Sequence, residues 1–161
     1  MKTHMLAAAA MIAAPLAVSA HHDGDRFVAE TVAVSHVWTE ETGLMAHGVE
    51  VYLTVENLGE EAVRLIGATT GFTAPGVFQA PVLGEGGALA IRDVPAIEIA
   101  PGQTVAFQPG GLRVSFQNVQ RAHDAGDHFH MTLEFEELGA LEVEVEVERD
   151  ADDFGEDEPA S

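Results

Sequence analysis

The stretch that decides the fold is Leu141-Glu142-Val143-Glu144-Val145-Glu146-Val147-Glu148, in which apolar and acidic side chains alternate without a break. Successive side chains of a β-strand point to opposite faces of the sheet. The alternation therefore puts the leucine and the valines on one face and the glutamates on the other. We predict a strand with one face in a core and the other in water.

The same period-two pattern recurs towards the N-terminus and extends the prediction to the whole domain. One clear run covers 49–56, and shorter runs lie at 29–38, 62–68, 76–82, 88–92, 95–99, 103–108, 111–119 and 128–136. Breaks rich in glycine and proline separate these runs, for example Pro101-Gly102 and Pro109-Gly110-Gly111. The sequence predicts an all-β fold, either an antiparallel two-sheet sandwich or a partly closed barrel.

The first 20 residues have the pattern of a secretory signal peptide, with Lys2 near the start, an apolar run over 5–18 and the small-residue site Val18-Ser19-Ala20. Cleavage after Ala20 would make His21 the first residue of the mature chain. No later segment reaches the ~20 apolar residues that a membrane helix needs. We therefore expect an exported, periplasmic protein without a membrane span in its mature chain.

The mature chain is expected to consist of one β domain, residues 21–149, and an acidic disordered tail, residues 150–161. It contains no cysteine, so a metal ion would have to be held by histidine, methionine, carboxylates or the terminal amine. Without Lys2, six arginines stand against 27 aspartates and glutamates. Such a surface repels nucleic acid and anionic lipid and attracts cations or a basic partner.

Several stretches follow one another in a recognisable order: Tyr52-Leu53-Thr54-Val55-Glu56-Asn57, Ile91-Arg92-Asp93-Val94-Pro95, Gln108-Pro109-Gly110-Gly111 and Leu133-Glu134-Phe135-Glu136. In this order they resemble the PCuAC family of periplasmic copper chaperones, and the resemblance extends from Val32 to Val147. It implies a cupredoxin-like or immunoglobulin-like antiparallel β-sandwich. It also implies that the domain binds copper and passes it to an acceptor such as a periplasmic copper enzyme.

The resemblance implies a Cu(I) site of two histidines and two methionines, since soft thioethers select Cu(I). Alignment through the Pro-Gly breaks puts the four ligand positions at Ala80, Ile91, Arg113 and Ser115. No histidine or methionine occurs between 48 and 122, so this chain cannot use the family's usual site. Two interpretations remain open. Either the domain is a metal-free partner-binding module, or its metal site has moved to histidines elsewhere.

The predicted metal ligands are His21, His47, His128 and His130. An N-terminal His21 would offer its α-amine and its imidazole to one ion. A nitrogen from a second histidine would complete a set that resembles the histidine brace of lytic polysaccharide monooxygenases. His128 and His130 should share one face of a strand, with Cα atoms about 6–7 Å apart. His47 lies in the loop before the run 49–56, close to Met45.

The other histidines of the mature chain have different expected roles. His22 is expected to point away from a metal held by His21. His36, beside Trp38, is interpreted as structural, and His123 is expected to be solvated in the loop 122–127.

An all-nitrogen site favours Cu(II) over Cu(I), and zinc is the rival ion. The sequence has no arrangement of nucleophile and base that points to an enzyme. The hypothesis is a copper chaperone or storage protein with a brace-like histidine site. The order of the strands decides which histidine partners His21, and the sequence leaves it open.

Overall fold

A computed structural model describes residues 26–43, 46–119 and 121–149. All regular elements of these residues are strands: β1 Arg26–Ala29, β2 Val32–Glu40, β3 Gly48–Asn57, β4 Val63–Thr70, β5 Val77–Leu83, β6 Leu89–Val94, β7 Ile97–Ile99, β8 Thr104–Phe107, β9 Arg113–Gln117, β10 His128–Phe135 and β11 Gly139–Glu148. The predicted all-β class is confirmed. No helix in the described residues is long and apolar enough to cross a membrane.

β11 is the strand that the alternating run predicts, and its two faces differ as the sequence requires. Leu141, Val143, Val145 and Val147 are buried, while the glutamates between them point away from the core. Each fully buried side chain of this size stabilises the fold by roughly 1.5–3 kcal/mol. β10 runs antiparallel beside β11, with Phe135 opposite Gly139.

The strands form one mixed sheet that does not close into a barrel, in the order β6-β5-β9-β3-β2-β11-β10-β4-β7. β1 pairs with β2 and β8 pairs with β3 beside this path. All strand pairs are antiparallel, as predicted, except β2 with β11. These two run parallel, with Trp38 opposite Glu146, so a strand from the C-terminal part lies beside one from the N-terminal part.

The prediction of one strand over 29–38 was wrong, because a turn interrupts it. Glu30 has a φ of 48°, in the left-handed region that ends a strand, and the chain reverses there between β1 and β2. A second irregularity lies at His36, whose φ is 50°. The register of β2 against β3 shifts between Ser35 and Trp38, which marks a β-bulge. His36 therefore lies at a bulge of β2, with its side chain exposed.

The core lies between the inward faces of the sheet, where apolar side chains from both halves of the strand order pack as one cluster. Phe116 and Leu53 come from one half, and Leu133 and Met131 from the other, and all four are fully buried. Since each strand contributes every second residue, the alternate residues form the outer face. The predicted metal ligands among the described residues are all outside the core: His128 and His130 lie on that outer face, and His47 lies in a loop.

Several strands end at the same end of the sheet, which we call the histidine end. It is defined by His47 before β3, His128 at the start of β10 and His123 in the loop before β10. The pairings place the C-terminal ends of β2, β9 and β11 there as well. An isolated bridge between Thr42 and His123 joins two of the loops. The topology thus gathers histidines that are far apart in the sequence.

Candidate metal centre

His128 and His130 project from the first residues of β10 on the side away from the core. Their side chains are 48% and 66% exposed, whereas Phe129 between them is buried. The two imidazoles therefore share one face of the strand, as their spacing predicts.

Glutamates of β11 lie beside both imidazoles. His128 Nδ1 is 3.5 Å from Glu144 Oε1, and His130 Nδ1 is 3.8 Å from Glu142 Oε1. Glu144 is also the cross-strand partner of His130, so its carboxylate lies next to both histidines. Imidazole nitrogens and carboxylate oxygens are ligands that zinc accepts, and imidazole also suits copper. Of the predicted ligands among the described residues, His128 and His130 are the two that the structure brings to one face of one strand.

His47 is exposed just before β3, and its carbonyl accepts a hydrogen bond of 2.9 Å from the Asn118 amide. β2 and β11 lie between β3 and β10. These three strand spacings amount to about 14 Å along the sheet. His47 is therefore at the histidine end but not beside His128. In the part of the chain that the structure describes, no three His, Asp or Glu side chains are arranged as a metal site.

The prediction that His123 is solvated was wrong, because its side chain is fully buried. Its ring centroid lies 5.2 Å from that of Phe72 and 5.0 Å from that of Phe129. Neither ring nitrogen has a hydrogen-bond partner among the described residues. Burial lowers the pKa of His123, and the charge of Arg121 lowers it further. The imidazole is thus held neutral.

The backbone of His123 explains why its side chain is inside. The Thr42 amide donates to the His123 carbonyl at 2.9 Å, and the His123 amide donates to the Thr42 carbonyl at 3.2 Å. This two-way bridge holds the loop against the end of the core, beside Phe129. Asp124 and Gly126 on the C-terminal side are typical of a surface loop. The local sequence therefore contains no signal of the burial.

The positions aligned with the family's copper ligands lie on β5, β6 and β9, and β5 pairs with both of the others. Gln79 pairs with Arg113, and Pro81 pairs with Ile91. Cross-strand partners share a face, as do residues two apart on one strand, so Arg113 and Ile91 project from the same side. Ala80 points to the opposite side. The structure therefore favours Gln79 over Ala80 as the equivalent position.

An ion pair lies on the face that these positions share. Arg113 Nε is 3.1 Å from Glu50 Oε1, in an alignment that does not make a hydrogen bond, and the arginine side chain is 14% exposed. Tyr52 donates from its phenol to Glu50 Oε2 at 2.9 Å. Ser115 Oγ accepts a hydrogen bond of 3.0 Å from Gln117. A guanidinium fixed at a former ligand position opposes the binding of a metal cation there.

Tyr52 continues this network towards β2. Burial raises the pKa of Tyr52, and the hydrogen bond to Glu50 and the negative charge of that carboxylate raise it further. The ring of Trp38 lies 4.8 Å from that of Tyr52, centroid to centroid, and 5.9 Å from that of His36. Trp38 therefore packs against the rings of Tyr52 and His36.

The predictions for residues 1–20, His21, His22 and the tail 150–161 fall outside the described residues. They remain predictions.

A comparison with protein families finds one that matches most of the chain. The model of the LpqE-like lipoprotein family matches residues 32–147. No curated protein matches the chain.

Solved structures of low sequence identity share the fold. A copper-bound PCuAC domain from PmoF2 superposes with a TM-score of 0.67 at 22% identity, over 78% of this chain and 98% of that one. Apo-DR1885 from Deinococcus radiodurans superposes with a TM-score of 0.59 at 19% identity, over 91% of this chain and 98% of that one. The Cu(I) form of DR1885 gives a TM-score of 0.59 at 18% identity, over 78% of this chain and 82% of that one. The predicted PCuAC-type, cupredoxin-like fold is confirmed.

Proposed function

Because this chain belongs to the LpqE-like family, we propose that it is an exported copper-binding protein that carries or stores copper at a histidine site on the outer face of its sheet. The observation that supports the proposal most is the position of His128 and His130. They project from the same face of β10 and are exposed, with Glu144 3.5 Å from His128 and opposite His130 on β11. We choose copper as the metal because two of the similar solved structures contain it.

The N-terminal histidine would complete this site, and the length of the chain permits it. Five peptide units join His21 to Arg26, a reach of at most about 17 Å. Arg26 of β1 pairs with Ser35 of β2. Further along β2, Trp38 lies opposite Glu146 of β11, and Glu146 in turn lies opposite His128 of β10. Three residues along a strand and one or two strand spacings separate Arg26 from His128, roughly 10–14 Å.

The ligand chemistry favours Cu(II) as the cargo. An α-amine, imidazoles and a carboxylate suit Cu(II), whereas Cu(I) prefers the thioethers that this chain lacks at the usual positions. Zinc is the competing ion, because three nitrogens and a water also suit it. Each nitrogen has to be deprotonated to bind, so affinity should rise with pH through the range of a free amine, about 7.7–8.0.

The acidic surface would help to load and deliver the ion. A net charge of −20 raises the local concentration of cations and steers a basic face of another protein towards this one. A periplasmic copper enzyme is the kind of acceptor that fits a chaperone of this fold. In this proposal the protein does no chemistry on the ion and acts only as its carrier.

The test is a Cu(II) titration followed by electron paramagnetic resonance. The samples are the chain that begins at His21, the same chain with one extra residue before His21, and the double variant His128→Ala/His130→Ala. We expect a stoichiometric, nitrogen-rich signal from the first sample and at least a tenfold loss of affinity in the other two. The control His47→Ala should keep the affinity, because His47 lies three strands away.

Each other result has a definite meaning. Equal binding with and without the extra residue would exclude His21 from the site. Undiminished binding by the double variant would exclude His128 and His130. Failure of all samples to bind would refute the copper proposal.

The second candidate is a metal-free partner-binding module, which one observation favours. Arg113 occupies a former ligand position and is paired with Glu50, so the old site is closed to cations. A chain that binds no copper in the titration but retains its fold by circular dichroism would support this candidate.

A further inference from the structure

The β5–β6 hairpin carries most of the large apolar side chains that are exposed in the described residues. Leu83 and Leu89 are 74% and 73% exposed, the highest values among them. The others on the hairpin are Val77, Val82 and Ile91. Elsewhere the exposed large apolar residues are single ones, such as Leu58 and Ile66. Single exposed apolar residues are ordinary, whereas a contiguous patch marks an interaction surface.

The register of the hairpin gathers all of these side chains except Val82 on one face. Pro81 pairs with Ile91, and Leu83 pairs with Leu89. Cross-strand partners share a face, and Val77 lies on it too, because it is four residues before Pro81. We call this set the hairpin face. Arg113 and Ile91 project from the same side of the sheet. The hairpin face therefore lies on the side that carries these two positions, which align with copper ligands of the PCuAC family.

The edge of the hairpin is open. β6 is the last strand of the sheet order, and its outer side pairs with no other strand of the described residues. Proteins usually protect such an edge with charged side chains, proline or a bulge. β6 has no proline and pairs with β5 without a register shift, and its charged residues, Arg92 and Asp93, lie only in its C-terminal half. The free backbone groups are therefore available to another strand.

The hairpin is also nearly neutral in a strongly acidic chain. Its charged residues between 77 and 94 are Glu85, Arg92 and Asp93, against a net charge of −20 for the whole chain. A basic partner would be drawn to the glutamates of β11 instead. Two copies of an acidic chain, in contrast, can approach each other only where the like-charge repulsion is weakest.

We propose that the β5–β6 hairpin is the docking site for a second copy of this chain, through antiparallel pairing of the two β6 edges about a two-fold axis. With Ala90 opposite Ala90 of the second copy, Ile91 lies opposite Leu89 on both sides. The two hairpin faces then form one continuous apolar surface. In this register Arg92 and Asp93 meet Ala88 and Gly87, so no like charges oppose each other. The interface is self-complementary, as two-fold symmetry requires.

The dimer should be weak and should respond to salt in a characteristic direction. Two short strands and a few apolar side chains bury less surface than the roughly 1,200–2,000 Å² of a standard interface. We therefore expect a dissociation constant in the micromolar range. Salt screens the repulsion between the two acidic copies, so association should strengthen as the salt concentration rises. A docking basic partner would show the opposite dependence.

The experiment is sedimentation velocity of the chain that begins at His21, over a range of protein and salt concentrations. We expect a monomer–dimer equilibrium that Leu89→Glu weakens at least tenfold and that Ile91→Gln weakens less. The matched control is Leu58→Glu, which places the same charge in the turn after β3 and should leave the equilibrium unchanged. Far-ultraviolet circular dichroism verifies that each variant is folded.

Four results would overturn the proposal. The first is a monomer at every concentration. The second is an equal effect of Leu89→Glu and Leu58→Glu. The third is a dimer that dissociates as salt is added. A dimer seen only in the chain that retains residues 1–20 would also overturn it, because the leader would then be the contact.

Discussion

The β10–β11 pair and the β5–β6 hairpin are both antiparallel pairs of one sheet, yet their outer faces are opposite in chemistry. The outer face of β10–β11 carries His128, His130 and the glutamates of β11. The outer face of the hairpin carries Leu83, Leu89 and Ile91. The positions aligned with the metal ligands of the family that the sequence resembles lie on this hairpin and on the neighbouring β9. Here the metal-type side chains belong to the first.

The difference shows how one fold can keep its core while its outer faces carry side chains of different chemistry. Both regions bury the alternate residues that the sheet requires, for example Leu133 in β10 and Phe78 in β5. The outward positions are not constrained by the core, so they are free to change. Arg113, paired with Glu50, lies at a position aligned with one of the family's ligands, and His128 and His130 lie exposed at the histidine end, where we propose the metal site.

The largest expected effect compares a leucine of each region. Leu133→Ala removes a fully buried side chain and should lower the free energy of unfolding by about 2–5 kcal/mol. Leu89→Ala removes an exposed side chain and should change it by no more than about 0.5 kcal/mol. Urea denaturation at low protein concentration measures both. Equal losses would mean that the hairpin is packed in solution, and the contrast between the regions would be lost.

A smaller effect concerns His123, which packs on the inner side of β10. Its pKa is lowered by burial, so the unfolded chain takes up a proton before the folded chain does as the pH falls below about 6.5. Folding stability should therefore decrease with acidification, by at most about 1.4 kcal/mol per pH unit for this group. His123→Leu should remove that part of the decrease. Thermal melts from neutral pH to mildly acidic pH measure it.

His47→Leu is the matched control for this experiment, since it removes an exposed imidazole from the same end of the sheet. If the two variants alter the pH dependence equally, the burial of His123 is not its cause.

The smallest expected effect concerns the ion pair near the hairpin. Tyr52 is the single tyrosine of the chain, so its ionisation can be followed by the absorbance of tyrosinate. Glu50→Gln removes a negative charge and weakens an acceptor, so the pKa of Tyr52 should fall while burial keeps it above the ordinary value of about 10. Because Glu50 is 43% exposed, the loss of stability should stay below about 1 kcal/mol.

Glu56→Gln provides the comparison, because Glu56 lies on the same strand and pairs with Arg26 instead. An unchanged ionisation of Tyr52 in Glu50→Gln would show that the carboxylate does not act on the phenol.

The strands could be predicted from the sequence wherever side-chain alternation is strict. β11 and β3 follow directly from it, because burial of every second residue is a local property. The face shared by His128 and His130 follows for the same reason. The turn at Glu30 could not be predicted, because β1 and β2 are both apolar and no glycine or proline separates them.

Features that depend on strand order were beyond the sequence. The parallel pairing of β2 with β11 joins residues from opposite ends of the domain, and no local pattern encodes it. The burial of His123 depends on a backbone bridge to Thr42, eighty-one residues away. The choice between Gln79 and Ala80 depends on the register of β5 against β9. Each required the tertiary structure.

The position of β11 has a consequence for how the protein is made. β11 is among the last parts of the domain to be synthesised, yet it is inserted between β2 and β10 in the middle of the sheet. Until β11 is available, β2 and β10 each lack a neighbouring strand, and the core lacks the side chains that β11 contributes. Contacts of such long sequence separation form slowly, since a long loop has to close first. We therefore expect a product that stops before β11 to be poorly folded and to be a substrate for proteases.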